Sequence, residues 1–373
     1  MRAKPHGSYI SYFSNLVKTN GGINLAQGIP GFEPPMQLLD ILNDISHTQC
    51  HQYAPGIGNL LLRSLIEKQY NLDPDELLVV QGATEGLSLV YTYLYRILGN
   101  NLVTLSFDPA YESYSRLPQI FNQKFVAFPL LNDEIVDFDD LRRSIEINRV
   151  KLVFLSSPGN PYGKVWTQAE VNKLLELAEE FGFYLVFDSV YQELYFSQKP
   201  YIPIDKLTEK LFIVSSFSKS LCITGWRVGY VIHHAAHAKP IRAIHDYIGL
   251  CAPSVMQQAL AVYLDRHQNG NAYIETMRHT IKNAFDSLND ELLQLNFSIP
   301  KIDGGCFVWA KLPEPYTDGF EFASDLYETT GVAVIPGEHF SSKKKNWLRF
   351  NVARPMDEIS LACTKIADFI KKQ

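Results

Sequence analysis

Residues 214–231 read VSSFSKSLCITGWRVGYV: a lysine among small hydroxyl residues, just after the apolar run LFIV (211–214), with Arg227 eight positions on. An ammonium at the edge of an apolar core is costly when unpaired, and its pKa falls readily. Lys219 so placed is a nucleophile suited to an aldehyde. Arg227, Ser216, Ser218 and the amides that open a helix at Ala83–Thr84 are donors suited to a phosphate dianion. Asp188 is an acceptor able to keep a heteroaromatic nitrogen protonated. Asn160 and Tyr191 are donors for a phenolate oxygen, and Tyr111 offers a flat face for stacking. Aldehyde, phosphate, pyridine nitrogen, phenolate oxygen and flat ring are the parts of pyridoxal 5'-phosphate (PLP). Taken singly, each residue has a plainer reading, Thr84 as a helix cap or Asn160 as a turn residue before Pro161. Their joint occurrence carries the expectation.

The elements that must position these groups recur along the chain. Short apolar runs end in small or polar residues: ELLVVQGATEG (76–86), NLVTLSFDPAY (101–111), KLVFLSSPGNP (151–161), FYLVFDSVY (183–191) and LFIVSSFSKS (211–220). Amphipathic segments such as GLSLVYTYLYRIL (86–98) and QAEVNKLLELAEEFG (168–182) lie between them. Buried strands alternating with helices predict an α/β fold, a mostly parallel sheet flanked by helices. Ligands of such sheets collect beyond the carboxyl ends of the strands, where each run delivers its polar residues. After about residue 255 the pattern changes to long helical segments and then two hairpin-like strands, GGCFVWAKL and NWLRFNVA. A large domain is expected over 35–275, with a smaller α+β domain formed by both chain ends, 1–34 and 276–373.

The 373 residues are 46% hydrophobic and 20% charged, enough for more than one core. A formal charge of −6 argues against a nucleic-acid surface. Five scattered cysteines without CxxC spacing suggest neither a disulfide framework nor a zinc site, and so a reducing compartment. The start lacks the apolar core of a signal peptide, and no apolar stretch reaches membrane-span length. A soluble, cytoplasmic protein is expected. Gly56 and Gly58 follow no buried strand, which disfavours dinucleotide binding. His233, His234 and His237 lack the helical context and carboxylates of a metal site.

The segment SFSK followed by GWRVGY resembles the lysine segment of fold-type I PLP-dependent aminotransferases of class I/II. SSPGNPYGKVW resembles that family's asparagine–proline motif, VFDSVYQELYF its aspartate–tyrosine strand, and QGATEGL its phosphate loop. NLAQGIPGFEPP and HQYAPGIGNLLLRSLI resemble its N-terminal region, and WLRFNVARP the strand that carries its carboxylate-binding arginine. The likeness runs from about residue 8 to the C-terminus, in the order the family shows. It is nearest to the kynurenine, glutamine and methionine aminotransferase branch. The resemblance implies that Lys219 holds the cofactor as a Schiff base and then moves protons. It implies that Asp188 pairs with the ring nitrogen, that Asn160 and Tyr191 bond the ring oxygen, and that Tyr111 stacks. Ser216, Ser218, Arg227, Ala83 and Thr84 would bind phosphate. Tyr53 would reach the phosphate of a neighbouring subunit, making a homodimer. Arg349 would grip the substrate α-carboxylate with help from the Gly28 amide and Asn160.

Ser189 follows Asp188 where glutamate is usual, PGF (30–32) replaces PDF, and Pro158–Gly159 precede Asn160 where His-Asn is frequent. No catalytic group is lost. The implied activity is transfer of an amino group from an L-amino acid to a 2-oxo acid by a ping-pong mechanism. A large neutral donor (methionine, glutamine or aromatic) is favoured, given Tyr9, Tyr12, Phe13 and Phe32. The alternatives are a PLP-dependent carbon–sulfur β-lyase and a non-catalytic PLP sensor.

Overall fold

The computed structural model describes residues 2, 4–130 and 135–372. After a first helix, Tyr9–Asn20, the short strand β1 (Ile23–Asn24) precedes seven strands that form one sheet. These are β2 (Leu77–Val80), β3 (Thr104–Asp108), β4 (Phe125–Pro129), β5 (Leu152–Ser156), β6 (Tyr184–Asp188), β7 (Leu211–Ser216) and β8 (Gly229–His233). Their order is β2-β8-β7-β6-β5-β3-β4, parallel throughout except that β8 runs against both of its neighbours. Side chains alternate between the two faces, as the period of two demands. Leu77 and Val79 join one apolar layer, and Leu78 and Val80 the other. Val153 and Leu155 oppose Leu152 and Phe154 in the same way. Both faces are therefore dry, which is why these runs read as unbroken apolar segments.

Helices cover both faces. Gln168–Phe181 is fixed at its start by a capping box between Thr167 and Glu170 and at its end by Gly182 at φ 67°. Ala83–Leu98 begins directly after β2. The chain end adds β9 (Phe307–Lys311), β10 (Val332–Ala333), β11 (Ile335–Pro336) and β12 (Trp347–Asn351). The two strands expected to be hairpin-like, β9 and β12, are antiparallel neighbours but not a hairpin. The helix Gly319–Thr330 and strands β10 and β11 intervene, and β11 pairs with the far edge of β12. β1 pairs in parallel with β10, which joins the N-terminal segment to the C-terminal one. A continuous helix, Asn271–Gln294, spans the position at which a domain boundary was expected.

Strand β4 was not anticipated. It is an edge strand with only Phe128 fully buried, so it lacks the apolar run that marked the others. No helix among the described residues is long and apolar enough to cross a membrane.

Candidate active site

Strands β3, β5, β6 and β7 all end at one rim of the sheet. Because β8 runs against both β7 and β2, β2 also ends there and β8 begins there. A cavity of about 280 Å³ opens at this rim, and Lys219 and Asp188 line it together. Every other predicted cofactor- or carboxylate-binding residue except Tyr53 lines it too, whereas Tyr9, Tyr12, Phe13 and Phe32, expected near the substrate, do not; they pack with the apolar core instead.

At one end, Ala83 and Thr84 form the first turn of Ala83–Leu98, where unpaired amides and the helix dipole favour an anion. Arg227 lies against this turn, with Nη1 donating to Thr224 O (2.9 Å) and Nη2 to Gln81 O (3.1 Å). Gly82, at φ 80°, allows this approach, since a Cβ there would stand 2.6 Å from Arg227 Nη2. Glu85 pins the loop from beneath. It accepts from the Gln81 N–H and faces His245 Nδ1 at 2.9 Å. Ser216 and Ser218 close the rim, the Ser218 N–H donating to Ser216 Oγ at 3.3 Å.

In the middle, Asp188 is held at both oxygens. Oδ1 accepts from the Val190 N–H (3.0 Å) and Oδ2 from the Tyr114 hydroxyl (2.6 Å). Burial raises the Asp188 pKa, while the Tyr114 and Val190 hydrogen bonds and the nearby Lys219 pull it down. Tyr114 is a site residue that sequence reasoning missed. It stacks on Phe154 (4.9 Å, 10°) and stands edge-on to Tyr111 (5.6 Å, 90°). Its signal was the YESY spacing across the start of the helix Ser113–Ile120, which puts both tyrosines on the cavity wall. Tyr191 is buried edge-on to Phe307 (5.7 Å, 71°), and burial raises its pKa well above the ordinary value. Lys219 Nζ donates to Gly28 O at 2.6 Å, so Gly28 meets the lysine through its carbonyl. Burial lowers the Lys219 pKa, with the Arg349 and Arg227 charges acting the same way and Cys306 opposing.

At the other end, Arg349 is 1% exposed. Nη1 donates to Asn160 Oδ1 (2.9 Å) and Nη2 to Ala26 O (2.7 Å), while Nε has no partner. Its guanidinium lies over Phe307 (4.2 Å) and Phe340 (4.7 Å). Burial brings its pKa down to about 10. Among the described residues no carboxylate forms an ion pair with it. A buried cation left without a counter-charge is costly, and its planar fork matches a carboxylate.

Residues 20–366 match the aminotransferase class I and II family. The chain belongs to that family. A methionine aminotransferase of Escherichia coli is 30% identical over 335 residues, 87% of this chain and 85% of the relative. An aspartate aminotransferase of Bacillus subtilis is 26% identical over 370 residues, 94% and 91% of the two chains. Among solved structures, the N-succinyldiaminopimelate aminotransferase of Mycobacterium tuberculosis superposes with a TM-score of 0.89 at 27% identity. That superposition covers 98% of this chain and 97% of the other. This aminotransferase is therefore a PLP-dependent transaminase, acting on amino and 2-oxo acids.

The cavity of the aminotransferase fits that cofactor. It offers one buried acid, one amine of lowered pKa, an anion-seeking helix start with an arginine, and a flat tyrosine wall within a single hollow. Tyr53 stands apart. It is 82% exposed and lines a separate surface hollow with Gln52, Pro55 and Ser254. Ile10 and Glu112 also line the cavity although no motif marked them, and Ile29 lines it from within NLAQGIPGFEPP.

Proposed function

We propose that this aminotransferase moves the amino group of a large neutral L-amino acid, such as methionine, glutamine or an aromatic one, to a 2-oxo acid by a ping-pong course. Ala83, Thr84, Ser216, Ser218 and Arg227 hold the phosphate of PLP, Tyr111 covers its ring, and Asn160 and Tyr191 bond its ring oxygen. Bound PLP supplies an aldehyde carbon that takes the substrate amine, and a conjugated ring that accepts the electron pair of the broken Cα–H bond. Asp188 keeps the ring nitrogen protonated, since an opposite charge favours the cationic form. Tyr114 and the Val190 amide orient that carboxylate. Lys219, its basicity lowered by burial, works as a neutral amine that takes the α proton at Nζ and gives it back further along. Arg349 binds the α-carboxylate as a fork and gains the counter-charge it lacks.

The observation that carries the reading is the fully buried Arg349, with no carboxylate partner among the described residues, lining the same cavity as Lys219, with Arg227 as the only other cation among the described lining residues. With the α-carboxylate on Arg349 and phosphate on Arg227, no cation among this chain's described lining residues is left for a second substrate carboxylate, and Ile10 and Ile29 offer apolar surface. The working unit is a cytoplasmic homodimer in which exposed Tyr53 reaches the neighbouring phosphate. The large domain runs over 35–275 and the small one over 1–34 with 276–373, so that the boundary falls within the helix Asn271–Gln294. A half-reaction screen tests the substrate class: each amino acid is added to the holoenzyme and the cofactor absorbance is followed. Conversion by methionine, glutamine or aromatic amino acids is expected. Conversion by aspartate alone would overturn the reading.

A further inference from the structure

Apart from Asp188, Glu112 is the one acidic side chain among the described residues that line the cavity. It follows Tyr111 and sits at the start of the helix Ser113–Ile120. His339 Nε2 approaches Glu112 Oε2 at 3.3 Å, without the alignment of a hydrogen bond. That histidine is itself clamped. Its side chain is 5% exposed, stacked with Tyr9 (5.9 Å, 28°) and edge-on to Phe340 (4.8 Å, 86°). Phe340 in turn carries the Arg349 guanidinium. Glu112 is thus tied to the same aromatic shelf as the proposed carboxylate fork, and its charge acts on Arg349. His339 beside it holds the Glu112 carboxyl below the usual carboxylate range, so the wall presents an anion at neutral pH.

We propose that Glu112, braced by His339, determines substrate charge: it repels any amino or 2-oxo acid bearing a second carboxylate and accepts a hydrogen bond from an uncharged donor such as a side-chain carboxamide. This rests on the large-neutral reading above and extends it. Both half-reactions use one cavity, so the acceptor must also be a 2-oxo acid without a second carboxylate. A dicarboxylic 2-oxo acid is disfavoured in this role.

Glutamine and glutamate form the test pair, because they match in shape and differ in charge. The readout is the ratio of kcat/KM for glutamine to that for glutamate, in which general damage to the fold cancels. Like-charge repulsion inside a site predicts a wild-type ratio of about 10²-fold or more. The ratio should fall at least tenfold in Glu112→Gln and return in Glu112→Asp. Equilibrium binding of the unreactive pair glutaric acid and its monoamide, measured by calorimetry, should follow the same order. If the wild type favours glutamine and Glu112→Gln keeps the ratio, the role of Glu112 is overturned while the large-neutral reading stands. If the wild type favours glutamate, both fall.

Discussion

Arg227 and Arg349 bracket one cavity and are held in opposite ways. Arg227 is threaded into a loop at the rim of the seven-stranded sheet, beside amides and serines that add neutral donors. Arg349 stands on the three-stranded sheet, fully buried between two phenylalanine rings, with one nitrogen unpartnered. A resident ligand can be met by many weak donors fixed in advance by the backbone. A ligand exchanged in each half-reaction is better met by one strong charge whose cost is relieved only on binding. The cofactor end is therefore distributed and tolerant, whereas the substrate end concentrates its affinity in one side chain.

Substitutions at the two ends and between them should differ in size and in the constant they change. The largest effect is expected for Lys219→Ala, in the middle of the cavity, which should lower kcat about 10⁴-fold, as loss of a positioned proton carrier does. Turnover near the wild-type level would assign the role to another lysine. Asp188→Asn should keep bound cofactor yet lose about 10²- to 10³-fold in kcat, the scale of a removed electrostatic stabiliser. An unchanged kcat would contradict its place at the ring nitrogen. Arg349→Ala should cost about 10²-fold in kcat/KM for every amino acid, mostly through KM. If KM holds, the concentrated character of the substrate end is wrong.

The smallest effect is expected for Tyr114→Phe, about tenfold, the scale of one hydrogen bond to a charged group. The Tyr114 hydroxyl helps keep Asp188 ionised against burial. Without it the carboxyl pKa rises further, so activity is lost first on the acid side and recovers as pH increases. The acid limb of the kcat–pH profile should move to higher pH, and an unmoved limb would make Tyr114 merely structural.

The same contrast explains what the sequence disclosed. The cofactor end lies where parallel strands stop, so the apolar runs before Asp188, Asn160 and Lys219 announced it, and the alternation of strand and helix gave the fold. The antiparallel course of β8 was hidden, because GYVIH is as apolar as its parallel neighbours. The substrate end gathers Ile10, Gly28, Glu112, His339 and Arg349 from segments far apart in the chain. Only Arg349 and Gly28 lay in a recognisable motif. The Glu112–His339 contact needs the helix Ser113–Ile120 and the loop after β11 to meet in space, which no periodicity encodes. Tyr114 was missed for a different reason: an aromatic residue in the first turn of a helix reads as core until its hydroxyl is seen to face a carboxylate.

The most direct test of the central claim is to reduce the holoenzyme with borohydride and map the peptide that carries the cofactor. The label is expected on Lys219, in the peptide containing SFSKSLC. A label on any other lysine would leave Asp188 and Arg349 without the group they are arranged to serve.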